Sequence, residues 1–524
     1  MSATNVPLTT VVFAILLGLI VGVTVWAARR TRTRGDYWAA GRSITSRQNG
    51  LALAGDFMSA GTFLGATGLL FFFGFDGTLI LVAGAFSFLP VLFLFADRLR
   101  NAGAYTIADV LCLRFNRRPV RAASAAGGLV VTSFYMVAQL VGAGAVLQAL
   151  TGMPFTWAVI LTGGFMTAYV TFGGMLGATW VQIVKAALLF VAGLSMAVAV
   201  LGRTGWDLGS IFIDAVGKNP AGESILGPGL FLPSANKLNV LSYGLSIMLG
   251  TAGLPHIMSK FFTVRDGQTA RRSLAWGIGI MSTFYILLIL IGFGARGLMS
   301  GADATAAAQG GGNLVTPVFS AFLGGGSGTI GGDLTLAVVS GVTFATILAV
   351  VSGLLISASS AVAHDLWTGV VKRDSSEVAR QEPRVARATT TVLGVIAVLI
   401  TLWIGSGVNV TILITLAFTV AASANFPVLT LALFWKNFTT SGAVSGIAVG
   451  LVGSVGLILM STTVQGGDAW IKLGYPGLLS IPIGFLACWI GTRLGHNEDT
   501  ERRFRQMQVR TETGLEPELE SRAV

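Results

Sequence analysis

Charge is what this sequence has least of. Asp, Glu, Lys and Arg together make up 11% of its 524 residues, where an ordinary soluble domain carries about 25%. Apolar residues reach 53%, and the mean hydropathy is +0.76. A soluble chain of this length needs far more charge to cover its surface, so a soluble enzyme is excluded, and so is a nucleic-acid binder despite the net charge of +11. Cysteine is almost absent. Cys112 and Cys488 cannot build a disulfide framework, and with His256, His364 and His496 scattered along the chain no zinc spacing exists. No HExxH motif occurs, and no Ser/His pair falls at a shared depth, so neither an enzyme nor a resident cofactor is expected.

Long apolar runs are abundant. A bilayer core needs roughly 20 apolar residues per helix. On that rule the chain reads as an all-α integral membrane protein with 13 spans, near 8–28, 50–73, 77–97, 122–150, 155–173, 177–202, 239–262, 272–299, 333–361, 387–407, 409–435, 441–463 and 473–493. The first is not a cleavable signal, having no basic residue before it. Residues 1–494 form one membrane domain, and 495–524 read as a charged, solvated cytoplasmic tail with a short helix near Glu498–Val509. Segments 203–238 and 300–332 read as outer loops, the second with a short helix around Val315–Phe322. Basic residues set the orientation. Alternate loops and the C-terminal end hold 28 of the 34 Lys and Arg, Lys260 among them, whereas the opposite side has Arg203, Lys218, Lys237, Arg296 and Lys472. The N-terminus is therefore expected outside and the C-terminus in the cytoplasm.

Polar chemistry enters the membrane at few places. Span 2 carries Asp56 between Gly55 and Met58, followed by Ser59, Ala60, Gly61 and Thr62. A mid-span carboxylate is costly and marks function by default, and the glycines predict a discontinuous helix. Span 7 carries Gly250, Thr251, Gly253, Pro255 and His256, which predicts a second break. Interruptions five spans apart are what inverted five-helix repeats produce. Gln182 and Lys185 share one face of span 6, and Tyr135 and Gln139 one face of span 4. Each has a plainer reading as well. The breaks can be ordinary kinks, Lys185 can snorkel to the inner interface, Tyr135 and Gln139 can bond between helices, and His256 caps or packs near the inner end.

Six stretches in collinear order resemble one family. They are NGLALAGDFMSAGTFLG (49–65), DRLRNAGAYTIADV (97–110), YVTFGGMLGATWVQIVKA (169–186), GTAGLPHIMSKFFTV (250–264), TFATILAVVSGLLISASSAVAHDL (343–366) and AASANFPVLTLALFW (421–435). On these the chain resembles the sodium:solute symporter family, and within it the acetate/monocarboxylate permease branch. The resemblance implies a LeuT-like fold with spans 2–6 and 7–11 as inverted repeats. It also implies alternating access and uptake of acetate, propionate or pyruvate with a cation across a bacterial cytoplasmic membrane. In sodium-driven relatives two carbonyls of span 2 and a small residue and two hydroxyls of span 9 hold one sodium. The carbonyls fall on Gly55 and Met58 and the span 9 positions on Thr346, Ala349 and Val350; several relatives have an acid where this chain has Gln182.

Only Thr346 of that span 9 set brings a side-chain oxygen. Two couplings follow. Sodium binds through Gly55, Met58, Thr346 and Asp56, or Lys185 takes the sodium place and its protonation, with or without Asp56, couples uptake to H+. The loss of two hydroxyls and an acid together with the gain of an ammonium favours the second. For the carboxylate substrate the candidates are Ser59, Ala60, Gly61 and Thr62 at a half-helix N-terminus, Gly250, Thr251 and Gly253 in span 7, and Tyr135 and Gln139. The competing readings are a symporter of an amino acid or sugar, a channel, for which no filter or charge ring is evident, and a sensor, for which the tail is too short.

Overall fold

The computed structural model describes residues 6–29, 39–103, 105–170, 175–231, 237–371, 376–495 and 500–515. Arg30, Arg32, Arg34, Lys372, Arg373 and Arg522, which count toward the expected orientation, lie outside them. The described residues are helical throughout and include no strand, only the isolated bridges Ile44–Val264 and Ser461–Ile471. Ten helices are long and apolar enough to cross a membrane, and twelve if each of two bent pairs is one span. One further apolar helix, Phe155–Val170, is shorter, and residues 171–174 that follow it are outside the described set.

In chain order the helices used below are α1 (Val6–Ala28), α2 (Ser46–Phe57), α3 (Gly61–Phe73), α4 (Phe75–Ala102), α5 (Ile107–Leu111), α6 (Arg117–Thr151), α7 (Phe155–Val170) and α8 (Met175–Arg203). Then follow α9 (Leu208–Lys218), α10 (Leu238–Gly253), α11 (Pro255–Thr263), α12 (Gly267–Leu298), α13 (Gly301–Ala308), α14 (Val315–Leu323) and α15 (Ile330–Val370). The last are α16 (Ser376–Ile404), α17 (Val410–Phe434), α18 (Thr440–Leu459), α19 (Gly477–Leu494) and α20 (Thr500–Thr513).

Without water between them, the helices sort by how much of each the protein itself covers. α17 is 94% buried over its apolar window, α15 83% and α6 78%, against 17% for α1. The first three form the centre and α1 lies at the periphery. Glycine permits the closest approaches. A Cβ at Gly55 of α2 would stand 2.7 Å from the Gln182 carbonyl of α8, so only hydrogen fits there and the two backbones touch.

The two breaks fall where Gly, Pro and Ser cluster. α2 and α3 meet at 53°, α10 and α11 at 46°. Pro255 opens α11, where its missing N–H costs nothing. At the first break, Ser59 Oγ accepts from Gly61 N at 3.2 Å and Thr62 Oγ1 accepts from Ser59 N at 3.0 Å. α3 then starts as a π-helix over Gly61–Ala66, and other helices claim three of its carbonyls. Thr411 Oγ1 donates to Gly61 O at 2.5 Å, Thr316 Oγ1 to Phe63 O at 2.5 Å, and Asn409 Nδ2 to Gly65 O at 3.0 Å.

The loop and tail readings change in detail. Segment 203–238 holds α9, and buried Asp76 of α4 accepts from the amides of Gly229 and Phe231, which ties this segment to the helix bundle. Segment 300–332 holds α13 as well as the expected helix at 315. The tail helix α20 is docked rather than free. Met507 and Thr511 are buried, Asn101 Nδ2 donates to Thr511 O at 2.9 Å, and the Arg114 guanidinium lies 4.7 Å from the centre of the Phe504 ring. Phe504 and Met507, one helical turn apart, are what the mixed charges of this segment conceal.

Arg114 is the knot of this region. It is 2% exposed, and its guanidinium donates to the carbonyls of Ala432, Lys436 and Phe438. Burial lowers its pKa to about 10, so it stays charged at neutral pH. Arg114→Ala leaves three carbonyls unpaired, each costing about 1–3 kcal/mol. The expected result is a clear fall in the apparent Tm of the detergent-purified protein and release of α20 to proteolysis. Arg114→Lys, which cannot reproduce the fork, should restore little of it.

Candidate functional site

The breaks of α2–α3 and α10–α11 lie among α6, α8, α15 and α17, and two groups of polar side chains collect there. The first lines a cavity of about 50 Å³ beside α3. Its polar wall is Ser59, Thr62, Tyr135, Tyr285, Thr411 and Thr415, and its apolar wall includes Phe57, Ile247, Ile414 and Phe418. Every polar side chain in it is a hydroxyl. Thr62, Thr411 and Thr415 donate to backbone carbonyls, which leaves Ser59, Tyr135 and Tyr285 to donate to a carboxylate without bringing a charge of their own.

Ser59, Gly61, Thr62 and Tyr135 are thus where the sequence places them, on a cavity. Ala60 is buried beside Gly142 rather than lining it. The amides of Ser59 and Gly61 are already taken by the Thr62 and Ser59 hydroxyls, so this half-helix N-terminus is capped by its own side chains. Gly250, Thr251 and Gly253 are not among the lining residues. A Cβ on Gly250 or Gly253 would stand under 3 Å from the α17 carbonyls of Phe418 or Ala421, Asn425 Nδ2 donates to Gly253 O at 2.7 Å, and Thr251 Oγ1 donates to Ile247 O. These residues seat the second break on α17. Gln139 is fully buried, away from the cavity lining, with neither end of its amide hydrogen-bonded among the described residues.

The second group lies on the α2 and α11 side of the breaks. Asp56, Gln182, Lys185, His256 and Lys260 are each at most 2% exposed. Lys260 Nζ stands 3.9 Å from Asp56 Oδ2 and 3.5 Å from Thr179 Oγ1. Both lysines are within electrostatic reach of Asp56. The edge of the His256 ring packs on Tyr135, with centroids 5.1 Å apart, which joins this group to the hydroxyl cavity. Gly353 of α15 completes the wall; a Cβ there would stand 3.8 Å from Gln182 Nε2 and 4.0 Å from Asp56 Oδ1. Lys185 does not reach solvent. Lys260, which sequence reading counts among the inner loop charges, belongs here instead, because the bend at Leu254–Pro255 turns the end of span 7 inward.

At the place expected for sodium, several of the candidate oxygens are engaged or missing. Gln182 Nε2 donates to the Ala349 carbonyl at 3.1 Å and so presents N–H where a cation needs oxygen. Thr346 Oγ1 is turned back onto Val342 O at 2.8 Å. Ala349 and Val350 bring no side-chain oxygen. Gly55 and Met58 flank Asp56 and are buried, with Met58 N bonded to Ala54 O.

A third charged cluster joins α5, α6 and α15, and the sequence offers no warning of it. Arg121 Nη2 meets Asp109 Oδ1 at 2.7 Å and Arg121 Nη1 meets Asp365 Oδ1 at 2.9 Å. His364 Nε2 lies 3.3 Å from Asp109 Oδ1, and Thr106 Oγ1 donates to Asp365 at 3.2 Å. Asp365, Tyr105 and Thr106 also line a cavity of about 40 Å³ that reaches Pro255. At the other end Phe72, Phe231, Asn409, Lys472 and Tyr475 line a wider recess of about 590 Å³.

Comparison with known proteins places this arrangement. Residues 37–450 match the sodium:solute symporter family. A symporter of Bacillus subtilis (strain 168), YwcA, described as uncharacterized, is 40% identical over 521 residues, covering 97% of this chain and 98% of its own. Among solved structures, a substrate-bound, outward-open Na+-coupled sialic acid symporter is similar at TM-score 0.67 and 17% identity, over 93% of this chain and 98% of that one. Mhp1, a nucleobase-cation-symport-1 family transporter, is similar at TM-score 0.54 and 14% identity, over 91% and 99%. These two share the fold. The chain belongs to the sodium:solute symporter family and is a multi-pass membrane symporter, not an enzyme, that moves a small solute together with a cation.

Proposed function

We propose that this symporter takes up short-chain monocarboxylates such as acetate, propionate and pyruvate, and that protons rather than sodium drive it. The observation that carries the coupling is the Gln182 amide seated on the Ala349 carbonyl, with the Lys185 ammonium buried beside Asp56. In this reading Lys185 and Asp56 form the coupling group and the hydroxyl cavity takes the substrate. Alternating access works through thirteen spans, with 2–6 and 7–11 as inverted repeats, in residues 1–494. The N-terminus faces outward, and the C-terminal segment lies in the cytoplasm of a bacterium.

The substrate class rests on size and chemistry. A cavity of about 50 Å³ holds only a few heavy atoms, far below the ~300–1,000 Å³ of pockets for larger ligands. Its hydroxyls suit one carboxylate and little else, and the branch-specific wording of spans 2, 7 and 9 agrees. A sugar or amino acid brings more polar atoms than this wall can pair. The test is labelled-acetate counterflow in proteoliposomes with unlabelled competitors. Propionate and pyruvate are expected to compete, and proline and glucose to leave the signal unchanged. Competition by proline or glucose would assign the cavity to another solute.

A further inference from the structure

The chamber on the inner side of the breaks has more cations than it can pair. It holds two lysines and one acid, all nearly dry. From α2 comes Asp56, from α8 Lys185 and Gln182, from α11 His256 and Lys260, from α6 Tyr135, and from α15 only uncharged Gly353. Lys260 is the lysine with an assigned partner, at 3.9 Å from Asp56. Lys185 Nζ, Gln182 Oε1, both ring nitrogens of His256 and both carboxylate oxygens of Asp56 have no hydrogen-bond partner among the described residues, so Lys260 meets Asp56 as an ion pair and not through a hydrogen bond. Buried polar atoms are rarely left so, and several in one buried group mark a place where a further partner belongs. An isolated ammonium cannot persist in such a place without an anion beside it.

From this we infer that Lys260 is the resident counter-ion of Asp56, so that Lys185 holds its proton only while the carboxylate of a substrate seated in the adjoining hydroxyl cavity is turned toward it. The inference rests on the proton-coupled reading above and assigns a residue to it. Anion and proton then enter together because neither is stable alone. The bond made is N–H at Lys185 Nζ, the proton comes from the side of higher proton activity, and both leave together on the other side. One anion and one proton move, and no net charge crosses. Lys260 acts as a positioning residue: by occupying Asp56 it keeps Lys185 from a permanent partner.

Charge counting makes this testable. Lys260→Met leaves one lysine and one acid, so Lys185 pairs with Asp56 and has no need of the substrate. Asp56→Asn leaves two cations. Asp56→Asn with Lys260→Met restores a single lone cation. The measurement is proton uptake, followed with an indicator dye, when potassium acetate is added to sodium-free, lightly buffered protein in detergent. By linkage the wild type is expected to bind about one proton per acetate, Lys260→Met close to none, Lys260→Arg about one, and the double variant about one again. Uptake driven by a pH gradient is expected to fall about tenfold or more in Lys260→Met and to recover in the double variant. Unchanged proton uptake in Lys260→Met overturns the inference, as does a folded double variant that binds acetate without a proton. Should Lys260→Met fail to fold, Lys260→Arg and the double variant decide the matter by the same counts. A wild type that binds acetate with no proton at all refutes the proton-coupled reading itself, a result distinct from either.

Discussion

Replacing Lys185 by methionine is expected to lower acetate uptake driven by a pH gradient about 100-fold, since truncating one partner of a buried charge pair costs about 2–5 kcal/mol. Methionine keeps the length of the stem and its packing on α8, so the loss isolates the ammonium. The side chain is fully buried and cannot be replaced by a surface lysine nearby. Acetate counterflow, which needs no net proton movement, should fall along with driven uptake, because the carboxylate loses its only uncommitted cation. Lys185→Arg should not rescue, since a guanidinium does not release its proton in this range. If Lys185→Met transports normally, the lysine is a packing residue and Asp56 must carry the coupling with another partner.

The second large effect is expected at the inner cluster. Arg121→Gln removes the one guanidinium that bridges Asp109 and Asp365 at 2.7 and 2.9 Å. Breaking a buried pair by deleting one partner costs about 3–5 kcal/mol, and here two carboxylates are left facing each other. The expected result is a steep fall in detergent stability and substrate leakage or arrest, because this clamp ties α5 and the start of α6 to α15. Arg121→Lys should recover part of it, being a point charge that cannot hold both acids in a fork.

The pH dependence of this clamp has a defined sign. Burial pushes the Asp109 carboxyl up, but His364, Arg121 and the Thr106 amide together hold it below its usual 3.8. A carboxyl lowered in the folded state stabilises at pH above its unfolded value and loses that contribution only as pH falls through the folded one. The contribution of Asp109 to the clamp therefore persists through the mildly acid range. Thermal melts from pH 8 to pH 5 should show no loss assignable to Asp109 in the wild type. Melts of Arg121→Gln over the same range should show a gain as pH falls and the unpaired acids protonate.

Much of the framework was legible because membrane helices advertise themselves by length and hydropathy. The two bends fall at Gly55–Gly61 and Gly250–Pro255, residue types that cannot continue a helix cheaply. Chemistry alone points from Asp56 to the Gln182–Lys185 face, whereas the ion pair that Asp56 makes is with Lys260. Lys260 was not. Its place near the end of an apolar run reads as an interface charge, and only the 46° bend turns it inward. Tyr285, Thr411 and Thr415 were hidden for a different reason. A single hydroxyl on an apolar helix is ordinary, and which face it occupies depends on helix rotation that composition does not reveal. Gly250 and Gly253 show the converse. Glycine at a break suggests amides for an anion, whereas here it admits the backbone of α17. The ion pairs of Asp109, Arg121, His364 and Asp365 join residues 12, 244 and 255 positions apart, and no local pattern announces them.

The account stands or falls on the coupling ion. The direct measurement is labelled-acetate uptake into proteoliposomes of the wild-type protein, with a sodium gradient and a pH gradient imposed separately and the membrane potential clamped. Accumulation driven by the pH gradient in the complete absence of sodium, with no added effect of a sodium gradient, is the predicted result. Accumulation that requires sodium and ignores the pH gradient would contradict it, returning the ion to Gly55, Met58, Thr346 and Asp56 and leaving Lys185 a structural residue.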